Sequence, residues 1–306
     1  MPKTSSDLTR RALSGPTMGT RWSVVLFAPE GADLAPLTAA LQQAVDEVDA
    51  QMSTWRPESD LMRLNAAPLD VAVPLPARLM TVLAEALEIG RLSGGAFEIA
   101  MGDAVAAWGF GPAPADPAAI RAAMTRPRRP SFEGLELDRA AGTACKRAEM
   151  VLDLSGIAKG YGVDALVEVL GAHGITRALA AIDGELRGLG AQPDGRGWAV
   201  AVERPDPALR AVHSVFELHD IAIATSGDYR HRVEVGGRQL SHTMDPRRGA
   251  PVLGGPASVT VLAETCMRAD AVASALMVLG ETAGRALAGR LGVEVLFLTE
   301  ADRTPA

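Results

Sequence analysis

The sequence predicts an α+β fold: a mixed or antiparallel sheet core with flanking helices. Two observations predict it. Amphipathic helical patterns cluster early, whereas short strand-like runs, divided by Gly and Pro turns, dominate the middle. A third observation narrows the organisation. No internal repeat or low-complexity tract interrupts the chain, so it reads as a flexible tail over residues 1–15 and a single domain over 16–306.

Met18-Gly19-Thr20 leads into a strand, Arg21–Phe27, carrying Trp22, Val24, Val25 and Leu26. Leu34–Met52 is the clearest amphipathic helix, with Leu34, Leu37, Leu41, Val45, Val48 and Met52 at helical spacing. It stops at the turn Ser53-Thr54-Trp55-Arg56-Pro57, and a short helix follows over Ser59–Asn65. Ala77–Leu92 is a second long helix, with Leu79, Val82, Leu83, Ala86 and Ile89 inward, broken by Gly94-Gly95. Phe97–Ile99 reads as a short extended piece. Trp108-Gly109-Phe110-Gly111-Pro112 holds a G-x-G fragment, but its proline excludes the helix start that a dinucleotide fold requires. Residues 112–131, rich in Pro and Ala with a basic patch at Arg126–Arg129, read as a surface excursion around a short helix.

Leu135–Asp138 and Ala148–Leu154 suggest paired strands. The apolar run Val151–Leu154 then turns at Ser155-Gly156 into a helix with Leu166, Val169 and Leu170 on one face. Arg177–Ile182, Gly184–Leu189, Trp198–Val202, His213–Leu218 and Ile221–Thr225 continue as strands. Val233–Val235 and Arg238–Leu240 flank Gly236-Gly237, a hairpin signal. Val259–Leu262 is a further strand, Met267–Leu279 and Thr282–Leu291 are helices, and Val293–Leu298 closes the chain as a strand.

Composition excludes several classes. A net charge of −7 with no basic block argues against a nucleic-acid platform. The two cysteines, Cys145 and Cys266, are too few and too far apart for a zinc cluster or a disulfide framework. The N-terminus lacks the apolar segment of a signal peptide, and no run approaches the roughly 18 apolar residues of a membrane span. The expectation is a soluble, cytoplasmic chain.

Three stretches carry candidate chemistry. In VLDLSGIAKGYGVD (151–164), strand, tight turn and helix start present backbone amides to an anion, and Lys159 adds a mobile positive charge. A buried crossover with a surface lysine fits the same pattern. The stretch is neither a Walker A loop nor Ser-x-x-Lys. Asp270 and Ser274 lie one turn apart on a helix face, hard oxygen donors suited to Mg²⁺ with a substrate phosphate completing the shell. An acid in a first turn, beside an ordinary serine, is the plainer account. Ser241–Gly249 holds His242 and Asp245, a general base beside a carboxylate or a solvent-facing His at an Asp-Pro turn. Ser226 lacks the G-x-S-x-G frame of a hydrolase nucleophile. Trp55 offers a ring either to the core or to a planar ligand.

Seven stretches in order, Met18-Gly19-Thr20, MSTWRPESDLMRLN (52–65), GGAFE (94–98) with WGFGP (108–112), DLSGIAKGYGVD (153–164), TSGDYRH (225–231), SHTMDPRRGAPV (241–252) and ADAVASALMVLG (269–280), together resemble the ApbE family, the FAD:protein FMN transferases. The resemblance runs from about residue 15 to the end. It implies an ApbE-like, T-fold-related architecture and an enzyme that uses Mg²⁺ and takes FAD as substrate. Such an enzyme transfers FMN to a Thr or Ser of an acceptor flavoprotein or electron-transfer subunit through a phosphoester bond, releasing AMP. It implies metal contacts at Asp270, Ser274 and the carbonyl of Gly156. It places Met18, Trp55, Ala96, Phe97, Glu98, Asp153, Lys159 and Met244 around FAD, and gives His242, assisted by Asp245, the catalytic work. The family usually has Tyr at Trp55, Asp at Glu98, Thr at Ser274 and Gly-Gly-Asp at Asp183-Gly184-Glu185. Stacking and the metal-binding hydroxyl survive these exchanges. Many relatives carry a lipobox cysteine that this chain lacks. FAD pyrophosphatase action, giving FMN and AMP, and non-catalytic FAD binding are the alternatives.

Overall fold

Met18 and Gly19 both take left-handed backbone angles, φ 42° and 73°. A two-residue turn of that kind matches the twist of the strands it joins, and it sets the edge of the main sheet. The computed structural model describes residues 8–206, 208–228, 232–235 and 238–303. The first strand, β1 (Leu8–Thr17), pairs antiparallel with β2 (Thr20–Pro29) along its whole length, from Leu8↔Pro29 to Thr17↔Thr20. The expected loose tail over residues 1–15 is therefore corrected for 8–15. This edge strand is held by its ladder and by polar links such as Thr9 Oγ1 to the Ala28 carbonyl, 3.2 Å, which hydrophobic patterning does not record.

The chain continues through α1 (Ala35–Met52), α2 (Asp60–Ala66), β3 (Ala72–Pro74), α3 (Ala77–Leu92), α4 (Gly102–Ala107), α5 (Pro117–Thr125) and α6 (Ser131–Gly134). It then forms β4 (Leu135–Asp138), β5 (Thr143–Lys146), α7 (Ala158–Ala172), β6 (Ala178–Ile182), β7 (Glu185–Leu189), β8 (Trp198–Glu203) and β9 (Val212–Leu218). The last elements are β10 (Ala222–Gly227), β11 (Arg232–Val235), β12 (Arg238–Ser241), β13 (Met244–Asp245), β14 (Ala250–Pro251), β15 (Ser258–Ala263), α8 (Cys266–Leu291) and β16 (Glu294–Leu298). Helical periodicity placed α1, α2 and α3 to within a residue. Ser59 caps α2, accepting from Met62 N at 3.1 Å.

Seven strands form one antiparallel sheet in the order β1-β2-β6-β7-β10-β15-β16. Alternation divides its residues between two layers. Trp22, Val24 and Leu26 face α1 and α7, with Leu41, Val45, Val163 and Leu166 in one core. Val25, Phe27, Leu179 and Ile223 face the other way, under the β8–β9 hairpin with Trp198, Val200 and Val202. A further core joins α2, α3 and the first half of α8 to the β10–β15 region. The sheet is α+β and antiparallel, as expected. The β11–β12 strands pair as predicted; Gly236 and Gly237 between them lie outside the described residues.

Two local expectations are corrected. β4 pairs with Thr143–Lys146, not with Ala148–Leu154. Residues 151–154 run extended but form no strand, because their polar backbone is held by other groups. Asn65 donates to the Leu152 carbonyl at 2.9 Å and accepts from Leu152 N at 2.7 Å. Residues 97–99 likewise form no strand, although Asp153 N donates to the Ile99 carbonyl at 2.8 Å. Helix α8 is long and apolar enough to cross a membrane by length and composition. It is instead interrupted by Gly280 (φ 72°, ψ 178°), at the boundary expected between two helices, and its first half is core.

Helices α7 and α8 meet at Gly160. A Cβ there would stand 2.4 Å from the Cys266 carbonyl oxygen and 2.8 Å from Asp270 Cβ. Asp164, one turn further along α7, accepts from Cys266 N at 3.0 Å and Met267 N at 2.9 Å. It thus neutralises the α8 N-terminus, and Arg187 NH1 completes its shell at 2.6 Å. Gly160→Ala is expected to lower unfolding free energy by about 1–3 kcal/mol through overpacking, measured by urea denaturation. Asp164→Ala leaves Arg187 and two helix amides unpaired, and the same titration should show a loss of about 3 kcal/mol.

Candidate active site

A cavity of about 660 Å³ opens where the β6–β7 turn, the start of α7 and the first half of α8 converge. Its walls bring together, from well-separated stretches, Ala96, Phe97 and Glu98, Asp153, Gly156 and Lys159, His242 and Met244, and Asp270 with Ser274. The sequence-predicted residues thus share one space, with three exceptions. Met18 occupies the hairpin turn and packs its side chain between cores, its Cε near Gly162. Trp55 stands outside the cavity wall, 63% exposed. Asp245 is buried beside the cavity and not in its lining; its carboxylate accepts from Arg247 N and Nε, both at 3.0 Å.

The floor is built by the α7–α8 contact. Asp270 Oδ2 accepts from Gly160 N at 3.0 Å. One turn on, Ser274 Oγ lies 3.4 Å from Ser226 Oγ of β10. A Cβ on Gly156 would stand 3.0 Å from that Ser274 oxygen, so glycine lets the backbone of the turn approach the α8 face. The turn is shaped by Asp153, whose Oδ1 accepts from Ser155 N at 2.7 Å. Glu98 lines the cavity but its two oxygens hold the wall together, accepting from Ala100 N at 2.8 Å and Ser131 N at 2.9 Å.

Lys159 is fixed rather than mobile. Its Nζ lies 3.2 Å from Asp183 and 3.1 Å from Glu185. Burial alone would lower its pKa, but the Glu185, Asp270 and Asp183 carboxylates outweigh that and hold it above the ordinary lysine value. Burial pushes Glu185 upward, and the Asp270 charge adds to this while Lys159 opposes it. Burial likewise pushes Asp270 upward against Lys159 and the Gly160 amide. The cavity is also lined by Thr225, Ser226, Thr243, Glu203 and Arg210, none of them a sequence-predicted site residue, and by Asp183 and Glu185, expected only as a departure from Gly-Gly-Asp. Thr225 and Ser226 are neighbours on β10 and both reach it, so strand alternation gave no signal for either.

The donor chemistry fits a small hard cation. A buried carboxylate held by a single amide, a hydroxyl one turn away and an adjacent backbone turn are all oxygen ligands, the set Mg²⁺ takes with substrate phosphates. No group of three His, Cys, Asp or Glu gathers as a metal cluster among the described residues.

Comparison with known proteins agrees with this geometry. The ApbE family model matches residues 18–297. A Vibrio cholerae protein described as FAD:protein FMN transferase is 38% identical over 293 residues, covering 95% of this chain and 87% of its own length. The Escherichia coli K12 protein of the same description is 31% identical over 294 residues, covering 94% and 84%. The solved structure of the flavin transferase ApbE from Vibrio cholerae superposes with a TM-score of 0.84 at 36% identity, over 97% of this chain and 95% of that one. The apo flavinyl transferase ApbE of Pseudomonas stutzeri gives 0.82 at 34% identity, over 97% and 93%. With its motifs in order, its cavity assembled from them and these full-length likenesses, the chain belongs to the ApbE family.

Proposed function

We propose that this chain is an FAD:protein FMN transferase that uses Mg²⁺ and acts on a Thr or Ser hydroxyl of an acceptor protein. The observation that carries the reading is the convergence of Asp270, Ser274, Gly156, Lys159 and His242 on one cavity. Asp270, Ser274 and the Gly156 carbonyl would hold Mg²⁺, which supplies charge neutralisation at phosphate oxygens when bound. The remaining work belongs to the chain itself. Lys159 presents a fixed ammonium to the pyrophosphate. Ala96, Phe97 and Met244 supply apolar wall for the flavin nucleotide.

In the transfer, the acceptor oxygen forms a bond to the FMN phosphorus as the bond from that phosphorus to the AMP oxygen breaks. His242 takes the acceptor hydroxyl proton. Asp245, buried beside the cavity with Arg247 on its carboxylate, would assist by holding the loop that carries His242. FMN stays on the acceptor as a phosphoester, and AMP leaves.

The test mixes the chain with FAD, Mg²⁺ and a flavin-accepting domain and reads a denaturing gel under ultraviolet light. The expected result is a fluorescent acceptor band that EDTA abolishes. Release of AMP and free FMN without a band would make the enzyme an FAD pyrophosphatase. Bound FAD with no turnover would make it a flavin carrier. Asp270→Ala should reduce Mg²⁺-dependent transfer by at least about 100-fold, and unchanged transfer would remove Asp270 from the metal site.

A further inference from the structure

Three carboxylates surround the Lys159 ammonium, yet it bonds only two of them. Nζ lies 3.2 Å from Asp183 Oδ2, and 3.2 Å and 3.1 Å from the two Glu185 oxygens. No ion pair joins it to Asp270 among the described residues, although Asp270 accepts from the amide of the next residue, Gly160, at 3.0 Å and lines the same cavity. Glu185 is the more surprising partner. Its side chain is 4% exposed, and the Lys159 ammonium is the cation that stands against both of its oxygens. Burying a carboxylate this way is costly unless a cation stands beside it. The position is fixed by the sheet, since Glu185 pairs with Ile182 across β6 and β7. Asp183, in the turn between them, is held at a φ of 55°.

Lysine is a compact point charge on a flexible stem. Without Glu185, the nearby buried anion left for it is Asp270. An ammonium seated on Asp270 would neutralise the carboxylate that a metal needs and repel the metal as a like charge. We infer that Glu185 is a positioning residue for the cation site: with Asp183 it draws Lys159 onto the β6–β7 turn and keeps Asp270 open to a divalent cation. The inference rests on the metal reading of Asp270 given above and adds a residue outside that donor set.

The test measures cation binding directly, by calorimetric titration with Mg²⁺ and by the paramagnetic signal of free Mn²⁺, without substrate. Glu185→Gln keeps the side-chain volume and removes the charge. It should weaken cation affinity about tenfold, the usual scale for losing a group that positions a metal ligand's surroundings. Lys159→Met added to Glu185→Gln should return affinity to within about threefold of the parent chain, because the competing ammonium is gone. Glu185→Asp, which keeps the charge, should fall between the parent and Glu185→Gln. Thermal melts confirm that each variant is folded; if Glu185→Gln unfolds, the Glu185→Asp series and the double variant decide. Unchanged affinity in folded Glu185→Gln overturns the inference, as does a loss that the double variant fails to reverse. Failure of the parent chain to bind either cation would instead overturn the metal reading itself, together with this one.

Discussion

The contact between α7 and α8 at Gly160 is the constraint on which the rest of the structure depends. Two helices can approach this closely only where one of them has no side chain. The approach places the Gly160 amide on Asp270 and the following turn of α8 beside Gly156. Asp164 fixes the same pair along their axes by binding the first amides of α8. With the Thr265 cap, whose hydroxyl accepts from Arg268 N at 3.3 Å, that glycine and that buried acid fix the start of α8 and turn one of its faces to the cavity. The sheet supplies the complementary wall, because β10 brings Ser226 against Ser274 and the β6–β7 turn brings two acids to Lys159.

The charges around the cavity follow from what each residue type does well. Lysines are scarce in this chain, three among thirty basic residues, and the rest are arginines. Arg128 grips Asp103 with both arms, Arg78 joins Glu47 to Glu168, and Arg268 ties α8 to Glu85 on α3. These planar forks brace helices against one another. Lys159 stands where a rounder, smaller charge fits between two turns. His242 lies in a loop that Met244 anchors to the α4–α5 core, so the groups assigned to proton transfer and to phosphate reach the cavity from independent elements.

Much of this was legible in the sequence, and the exceptions have physical causes. The long helices and their boundaries were readable because burial of one face repeats every three to four residues, and the interruption at Gly280 because glycine disfavours a helix interior. The site was readable as a set of polar turns at the ends of apolar runs. The strand over Leu8–Thr17 was not, since its more buried positions from Arg11 onward are Arg11, Leu13, Gly15 and Thr17, and only Leu13 is a large apolar residue. Residues 151–154 have strand composition, yet Asn65 satisfies their backbone from 87 positions away, a partner no local pattern reveals. Glu98 lines the cavity while its oxygens accept from two wall amides, and Asp245 lies beside it with Arg247 on its carboxylate, links that no local pattern reveals. Short-range composition shows which groups are polar, but only the fold shows which are already spoken for.

The break at Gly280 has a consequence for how such a protein tolerates change. Gly280 takes angles that no helix uses (φ 72°, ψ 178°), and the segment beyond it packs in one core with Phe297 of the last strand and Leu276 of the first half. A Cβ on Gly284 would stand 2.7 Å from the Phe297 ring and 3.4 Å from Leu276. The room for larger side chains in this layer is therefore set at one glycine, four residues past the break.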